Sequence, residues 1–308
     1  MPYPPITPAS AGQLAPIAQA QRGWITDLRW SPAGGALAVS AGGEVALYTA
    51  PDLTLRGTLT GHGGHVKGLA VSPDGARVAS ASSDTTARLW DLTRGGTFVT
   101  LAGHTDAVSA AAFSPDGALL ATASADCTAR LWDSRTGALV RVLARHADEA
   151  TSVAFCGAAG CLLATGGWDN AVLIWEAATG ALRHRLEHDD WVRDIAAHPT
   201  TPHLIATASK DMTVRLWDAE AGAQRGLLRA HFGGADAVAF SPDGALLATG
   251  GRDRLIKLWR LTDGQQVGLL RGHDKPVLAL AFSPDGALLA SGSGDNTVRL
   301  WAAAAPSG

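Results

Sequence analysis

Serine or threonine, histidine and aspartate are the groups that a nucleophile, its base and an orienting carboxylate use, and this chain carries six such sets. They are His62, Ser80 and Asp84; His104, Thr122 and Asp126; His146, Thr165 and Asp169; His188, Thr207 and Asp211; His231, Thr249 and Asp253; His273, Ser291 and Asp295. In every set the hydroxyl precedes the acid by four residues, and a tryptophan follows the acid six residues later, at Trp90, Trp132, Trp175, Trp217, Trp259 and Trp301. Acyl transfer is the chemistry these groups could perform, but their number argues against it. A catalytic centre occurs once and needs an exposed nucleophile beside an oxyanion site, whereas six equivalent sets point to a structural staple.

The elements that hold the sets are repeats. Successive tryptophans stand 42, 43, 42, 42 and 42 residues apart, and a degenerate copy ends at Tyr48, 42 residues before the first. A period of about 40 to 45 residues closing on Trp-Asp is the signature of a propeller with four short strands per blade. Residues 101–137 serve as the type repeat. SPDG at 114–117 is a turn by chemistry, with Pro115 presetting φ, Asp116 bonding nearby backbone and Gly117 accepting the left-handed conformation; it recurs at 72–75, 241–244 and 283–286. The segments between turns alternate poorly and are rich in Ala, Val and Leu, as strands covered on both faces should be. The alanines, serines and glycines suit the place where blades converge. After Trp301 no outer strand follows, while 13–19 (QLAPIAQ) has the register of one. The expected fold is therefore all-β: a seven-bladed β-propeller of four-stranded antiparallel blades, the last closed by the N-terminal strand, which removes an exposed edge. The domain plan is one propeller over 12–302, with 1–11 and 303–308 as flexible tails.

Composition narrows the function. Of 308 residues 46% are hydrophobic, enough for a core, and the net charge of −3 gives no basic field for nucleic acid. No apolar run approaches the roughly 20 residues of a membrane helix, and MPYPPITPAS lacks the regions of a signal peptide. A cytoplasmic protein is expected, and the abundant Ala, Gly and Arg suit a GC-rich, bacterial genome. Three cysteines make no disulfide framework. Cys127 falls in a repeat turn whose counterparts are Thr85, Asn170, Met212, Arg254 and Asn296. Cys156 and Cys161 flank another turn, where a cross-hairpin disulfide is geometrically possible but disfavoured in a reducing cytosol. CGAAGC (156–161) and HPTTPH (198–203) are corresponding turns of adjacent repeats; two Cys and two His superficially suggest zinc, but four ligands would have to converge from two blades. No metal or other cofactor is expected.

These GH and WD signatures, with the six sets at their spacing, resemble the WD-repeat (β-transducin-type) propeller family over essentially residues 13–302. The resemblance implies that each set is a structural tetrad linking indole N–H, hydroxyl, imidazole and carboxylate within one blade. Repeat one departs from it: Gln21 replaces the histidine, Val39 the hydroxyl and Tyr48 the tryptophan, and no acid matches. The family also implies that residues three and five after the histidine, and the one before the aspartate, line a top face around the channel mouth where partners dock. Trp24, Trp168, Trp191, Arg193, Lys210 and Arg252 occupy such places, and Trp and Arg are enriched in interface hot spots. The expectation is a non-enzymatic scaffold, monomeric on its own, that binds an acidic or aromatic-containing protein segment there. Three alternatives stay open: the tryptophans plug the channel mouth or pack on adjacent loops; a propeller lyase or hydrolase uses Asp189, Asp190 or Glu149 near the mouth; or the rim makes oligomer contacts.

Overall fold

A computed structural model describes residues 3–92 and 97–303. They form seven four-stranded antiparallel sheets arranged as the blades of a propeller. Blade 3 is representative, with strands Val108–Phe113, Leu119–Ser124, Thr128–Asp133 and Leu139–Ala144 from the axis outward. Its SPDG turn forms as its chemistry requires. The Gly117 N–H donates to the Ser114 carbonyl at 2.8 Å, the Asp116 carboxylate accepts from the Ala118 N–H at 3.0 Å, and Gly117 takes a φ of +70°. Pro73, from the same turn of blade 2, lies 3.4 Å from where a Gly117 Cβ would be, so successive turns nest around the ring.

The apolar core lies between blades. Trp132 of blade 3 is buried in one cluster with Leu89 and Leu101 of blade 2. Near the axis the strands approach so closely that a Cβ on Gly68 would meet the Ala110 Cα at 2.7 Å, which explains the small residues there.

The last blade comprises Val277–Phe282, Leu289–Ser293 and Thr297–Ala303, completed by the N-terminal strand Leu14–Gln21, which runs antiparallel to Thr297–Ala303 from Leu14↔Ala303 to Gln21↔Thr297. The ring is closed as the repeat count requires. Residues 6–11, placed by sequence in a loose leading tail, pack here instead: Ile6 and Ala11 are buried with Trp301, and the Ile6 N–H donates to the Gly286 carbonyl at 2.8 Å. Positions 1, 2 and 304–308 of the expected tails lie outside the described residues. Among the described residues no helix is long and apolar enough to cross a membrane.

Candidate functional site

All six tetrads form. In blade 3 the Trp132 indole N–H donates to Thr122 Oγ1 at 2.9 Å, Thr122 meets His104 Nε2 at 2.8 Å, and His104 Nδ1 meets Asp126 at 2.8 Å. The hydroxyl accepts from the indole, so its own proton is left for Nε2; the imidazole then keeps its proton on Nδ1 and donates it to the carboxylate. A one-way chain results. Burial pulls the His104 imidazole below its ordinary value against the pull of Asp126, which keeps the ring neutral. Burial alone would raise Asp126, but hydrogen bonds from Thr128, His104 and the Thr105 N–H outweigh it and bring the carboxyl down to about 2. Ser80, Thr122, Thr165, Thr207, Thr249 and Ser291 are all fully buried, so no substrate reaches any of the six hydroxyls. Each set links three stretches of its own blade through one hydrogen-bonded chain.

Blade 1 lacks this chain, as its sequence indicates, but it is not loose. Ser40, fully buried one position after Val39, accepts the N–H groups of Thr26 and Asp27 at 3.0 and 2.8 Å. Trp30 reaches into blade 7, its indole N–H donating to the Ala281 carbonyl at 3.0 Å.

On the face carrying the tetrad histidines, the expected docking residues fall into three groups. Trp168 of blade 4 and Trp191 of blade 5 stack, their ring centroids 4.4 Å apart and their planes 12° from parallel. Lys210 sets its ammonium 4.0 Å from the Trp191 ring centre and 3.3 Å from Asp190. The stacked indole covers one face of Trp191, which leaves the ammonium the other. Arg193 and Arg252 form the second group. Both guanidinium groups lie 2.8 Å from Asp236, an almost fully buried acid on the innermost strand of blade 6, so one carboxylate engages both cations and offsets one of their two charges. Trp24 stands apart on the loop into blade 1, 62% exposed, without a ring or cation contact among the described residues.

A cleft of about 400 Å³ opens at the channel mouth, walled by Trp168, Glu149, Lys67, Arg193 and Leu278. Among the other acids considered for catalysis, Asp189 pairs with Arg215 at 2.7 Å and Asp190 with Lys210. No histidine lines this cleft.

Deeper in the channel lie two acids that the sequence reading passed over. Asp27 accepts the Leu69 N–H at 2.7 Å and Asp194 accepts the Val238 N–H at 2.9 Å, each tying its own blade to the next. Arg29 pairs with Asp27 at 2.8 Å. Loss of solvent in the channel wall pushes the Asp194 carboxyl up to about 6 against the pull of Arg29. The signal was present: their equivalents in the other repeats are Gly68, Ala110, Ser152, Ala237 and Ala279, all small.

The turns considered for zinc do not assemble a site. His198 accepts the Thr201 N–H at 2.9 Å and contacts the Gly244 carbonyl, while His203 pairs with Glu220 at 2.9 Å. Cys156 is a buried thiol, pushed up to about 12 by desolvation, and Cys161 is exposed; both are free.

Comparison with known proteins follows the same outline. A stretch of 76 residues is 41% identical to the small ribosomal subunit protein RACK1y of Oryza sativa subsp. japonica, covering 24% of this chain and 23% of that protein. Another of 75 residues is 37% identical to the small ribosomal subunit protein RACK1 of Caenorhabditis elegans, covering 23% of each. The chain thus matches about a quarter of the length of these curated relatives. Both are eukaryotic, which runs against the bacterial source that composition suggested. The family model described as WD domain, G-beta repeat matches residues 53–91, 95–133, 137–176, 180–218, 222–260 and 264–302, the six repeats that carry tetrads. On six matched repeats, the chain belongs to the WD40 family of WD-domain, G-beta-repeat proteins.

Proposed function

We propose that this protein is a non-enzymatic scaffold that binds a protein or peptide segment at the channel mouth of the face carrying the tetrad histidines. The observation that carries the reading is the cleft walled by Trp168, whose indole is fixed in place by its stack on Trp191. A rigid aromatic wall offers contact area without losing side-chain freedom on binding. The wall is bordered by both signs of charge, Lys67 and Glu149, so a segment presenting an apolar side chain between polar neighbours suits it better than the purely acidic ligand that free arginines would favour. The relatives' designation as small ribosomal subunit proteins supports membership in a protein assembly, while the net charge of −3 gives no reason to dock on RNA phosphates. The scaffold is monomeric on its own and cytoplasmic in this reading.

An affinity capture from native lysate, read by mass spectrometry, compares the wild type with Trp168→Ala after both are shown to be fully folded at the capture temperature. Specific partners captured by the wild type and lost from the variant support the site. Partners retained by the variant move the interface elsewhere on the propeller.

A further inference from the structure

We propose that the cleft between blades 5 and 6, built around Met212 and Phe232, is a second binding site, one that takes an acidic peptide segment carrying a large apolar side chain. It is independent of the channel mouth, with which it shares no lining residue.

Two apolar departures from the repeat meet at this one junction. Phe232 follows a tetrad histidine, where the other blades have Gly63, Thr105, Ala147, Asp189 and Asp274. Met212 occupies the left-handed position of a turn, φ +71°, whose counterparts are Thr85, Cys127, Asn170, Arg254 and Asn296. Phe232 is 84% exposed and Met212 47%. Leaving a phenyl ring in water forgoes the stabilisation that burial would give, and large exposed apolar side chains gathered at one place mark interaction sites.

The backbone holds both side chains outward. The Met212 carbonyl accepts the N–H groups of Ala230 at 3.0 Å and His231 at 3.4 Å, which ties the turn of blade 5 to the loop that enters blade 6. Beyond Phe232 the chain turns back through Gly233 and Gly234, at φ +81° and +119°; a Cβ on Gly234 would come within 3.2 Å of the Lys210 Cα. That close approach seats the loop against blade 5, with Phe232 exposed beside it. The space between them is a cleft of about 230 Å³, enough to receive one large side chain.

Charge selects the occupant. Arg229 lines the cleft, is exposed and makes no ion pair among the described residues; Arg254, likewise exposed and unpaired, sits in the next blade's turn. Lys257 adds a third cation at the cleft wall, held 3.9 Å from Asp253. The one acid on the lining, Asp211, is almost fully buried and engaged by His188, Thr213 and Arg215, so it does not offset them. An apolar pocket lined by the unpaired Arg229 and by Lys257 complements an apolar side chain flanked by carboxylates. Met and Phe supply adaptable contact, and arginine supplies two-pronged carboxylate recognition.

The probes are short fluorescein-labelled peptides with a central Phe or Leu flanked by Asp and Glu, and two controls: the same peptides with Asn and Gln as flanks, and with Ser at the centre. Fluorescence anisotropy with the full chain should show binding of the acidic apolar peptides and weakening of both controls. Phe232→Ala and Arg229→Glu, both at exposed side chains, should each weaken binding about tenfold or more, while Trp168→Ala leaves it unchanged. The proposal is overturned if no acidic apolar peptide binds below about 1 mM, if Phe232→Ala and Arg229→Glu bind as the wild type does, or if Lys-flanked peptides bind equally well. Loss of binding in Trp168→Ala alone would assign the peptide to the channel mouth, and overturns it too.

Discussion

The indoles of Trp168 and Trp191 lie face to face with centroids 4.4 Å apart although they belong to adjacent blades. With Lys210 4.0 Å from the Trp191 ring centre, the stack clamps blade 4 to blade 5 at the top face. Trp191→Ala removes both contacts and should cost about 2 kcal/mol in urea unfolding, of which about 1 kcal/mol belongs to the aromatic pair. Trp168→Ala removes one contact and should cost less. A double-mutant cycle checks the pair: strictly additive losses would mean that the stack carries no energy.

The tetrad hydroxyl is the joint through which indole and imidazole satisfy each other, so an isosteric apolar replacement isolates its effect. Thr122→Val leaves the Trp132 N–H and His104 Nε2 without the partner they share at a fully buried position. The expected loss is about 2 to 6 kcal/mol, since each of the two unpaired buried groups costs about 1 to 3 kcal/mol. Thr122→Ser should recover most of it. Blade 1 is the natural control, because Val39 occupies the hydroxyl position where no such indole and imidazole need joining.

What could be foreseen from the residues divides along blade boundaries. The repeat, the tetrads and the closing strand are relations within one blade or between fixed registers, so spacing exposed the repeat and the closing strand, and the resemblance to the WD-repeat family supplied the bonding of the tetrads. The pairing of Arg193 and Arg252 on Asp236 spans blades 5 and 6, and no spacing rule indicates that one carboxylate engages two expected docking cations. The same holds for the Trp168–Trp191 stack: both residues could be placed on the top face, but whether they touched depended on inter-blade distance. Ile6 was misplaced because a proline-rich start reads as a tail unless the groove that receives it is known.

The aspartates contribute two slopes of opposite sign to the acid titration of stability, read as differences between variant and wild type because the lowered tetrad histidines add a rise of their own. Asp126 and Asp295 are held down to about 2 by hydrogen bonds from Thr128, Thr297 and their tetrad histidines, in spite of burial. A folded-state value below the unfolded one means that the unfolded chain binds more protons, so this stability is present above about pH 4 and is lost as pH falls towards 2. Asp194 runs the other way: raised to about 6 by desolvation, it takes up a proton in the folded state first, and stability falls as pH rises through about 4 to 6. Asp194→Asn should remove that upper slope while keeping the acid limb. Parallel stability profiles for variant and wild type between about pH 4 and pH 7 would show that Asp194 does not carry it.

The seam between the N-terminal strand and Thr297–Ala303 joins residues at the two ends of the chain, so one cut tests whether ring closure sets the cooperativity of the whole propeller. Deleting residues 1–21 removes the outer strand of blade 7 and the Ile6 and Ala11 side chains that pack with Trp301. The deletion leaves the hydrogen-bonding edge of Thr297–Ala303 open, and an open edge is a template for association with another chain. The truncated chain should melt at a markedly lower temperature over a broader transition and should form oligomers at raised concentration. A synthetic peptide of residues 3–21 added in trans should bind that edge and restore both the sharp transition and the association state of the full chain, because it supplies the same register pairs and apolar contacts. Scanning calorimetry with light scattering reads both properties. If the truncated chain melts as the full chain does, closure by this strand contributes nothing to holding the ring, and the inter-blade clusters suffice.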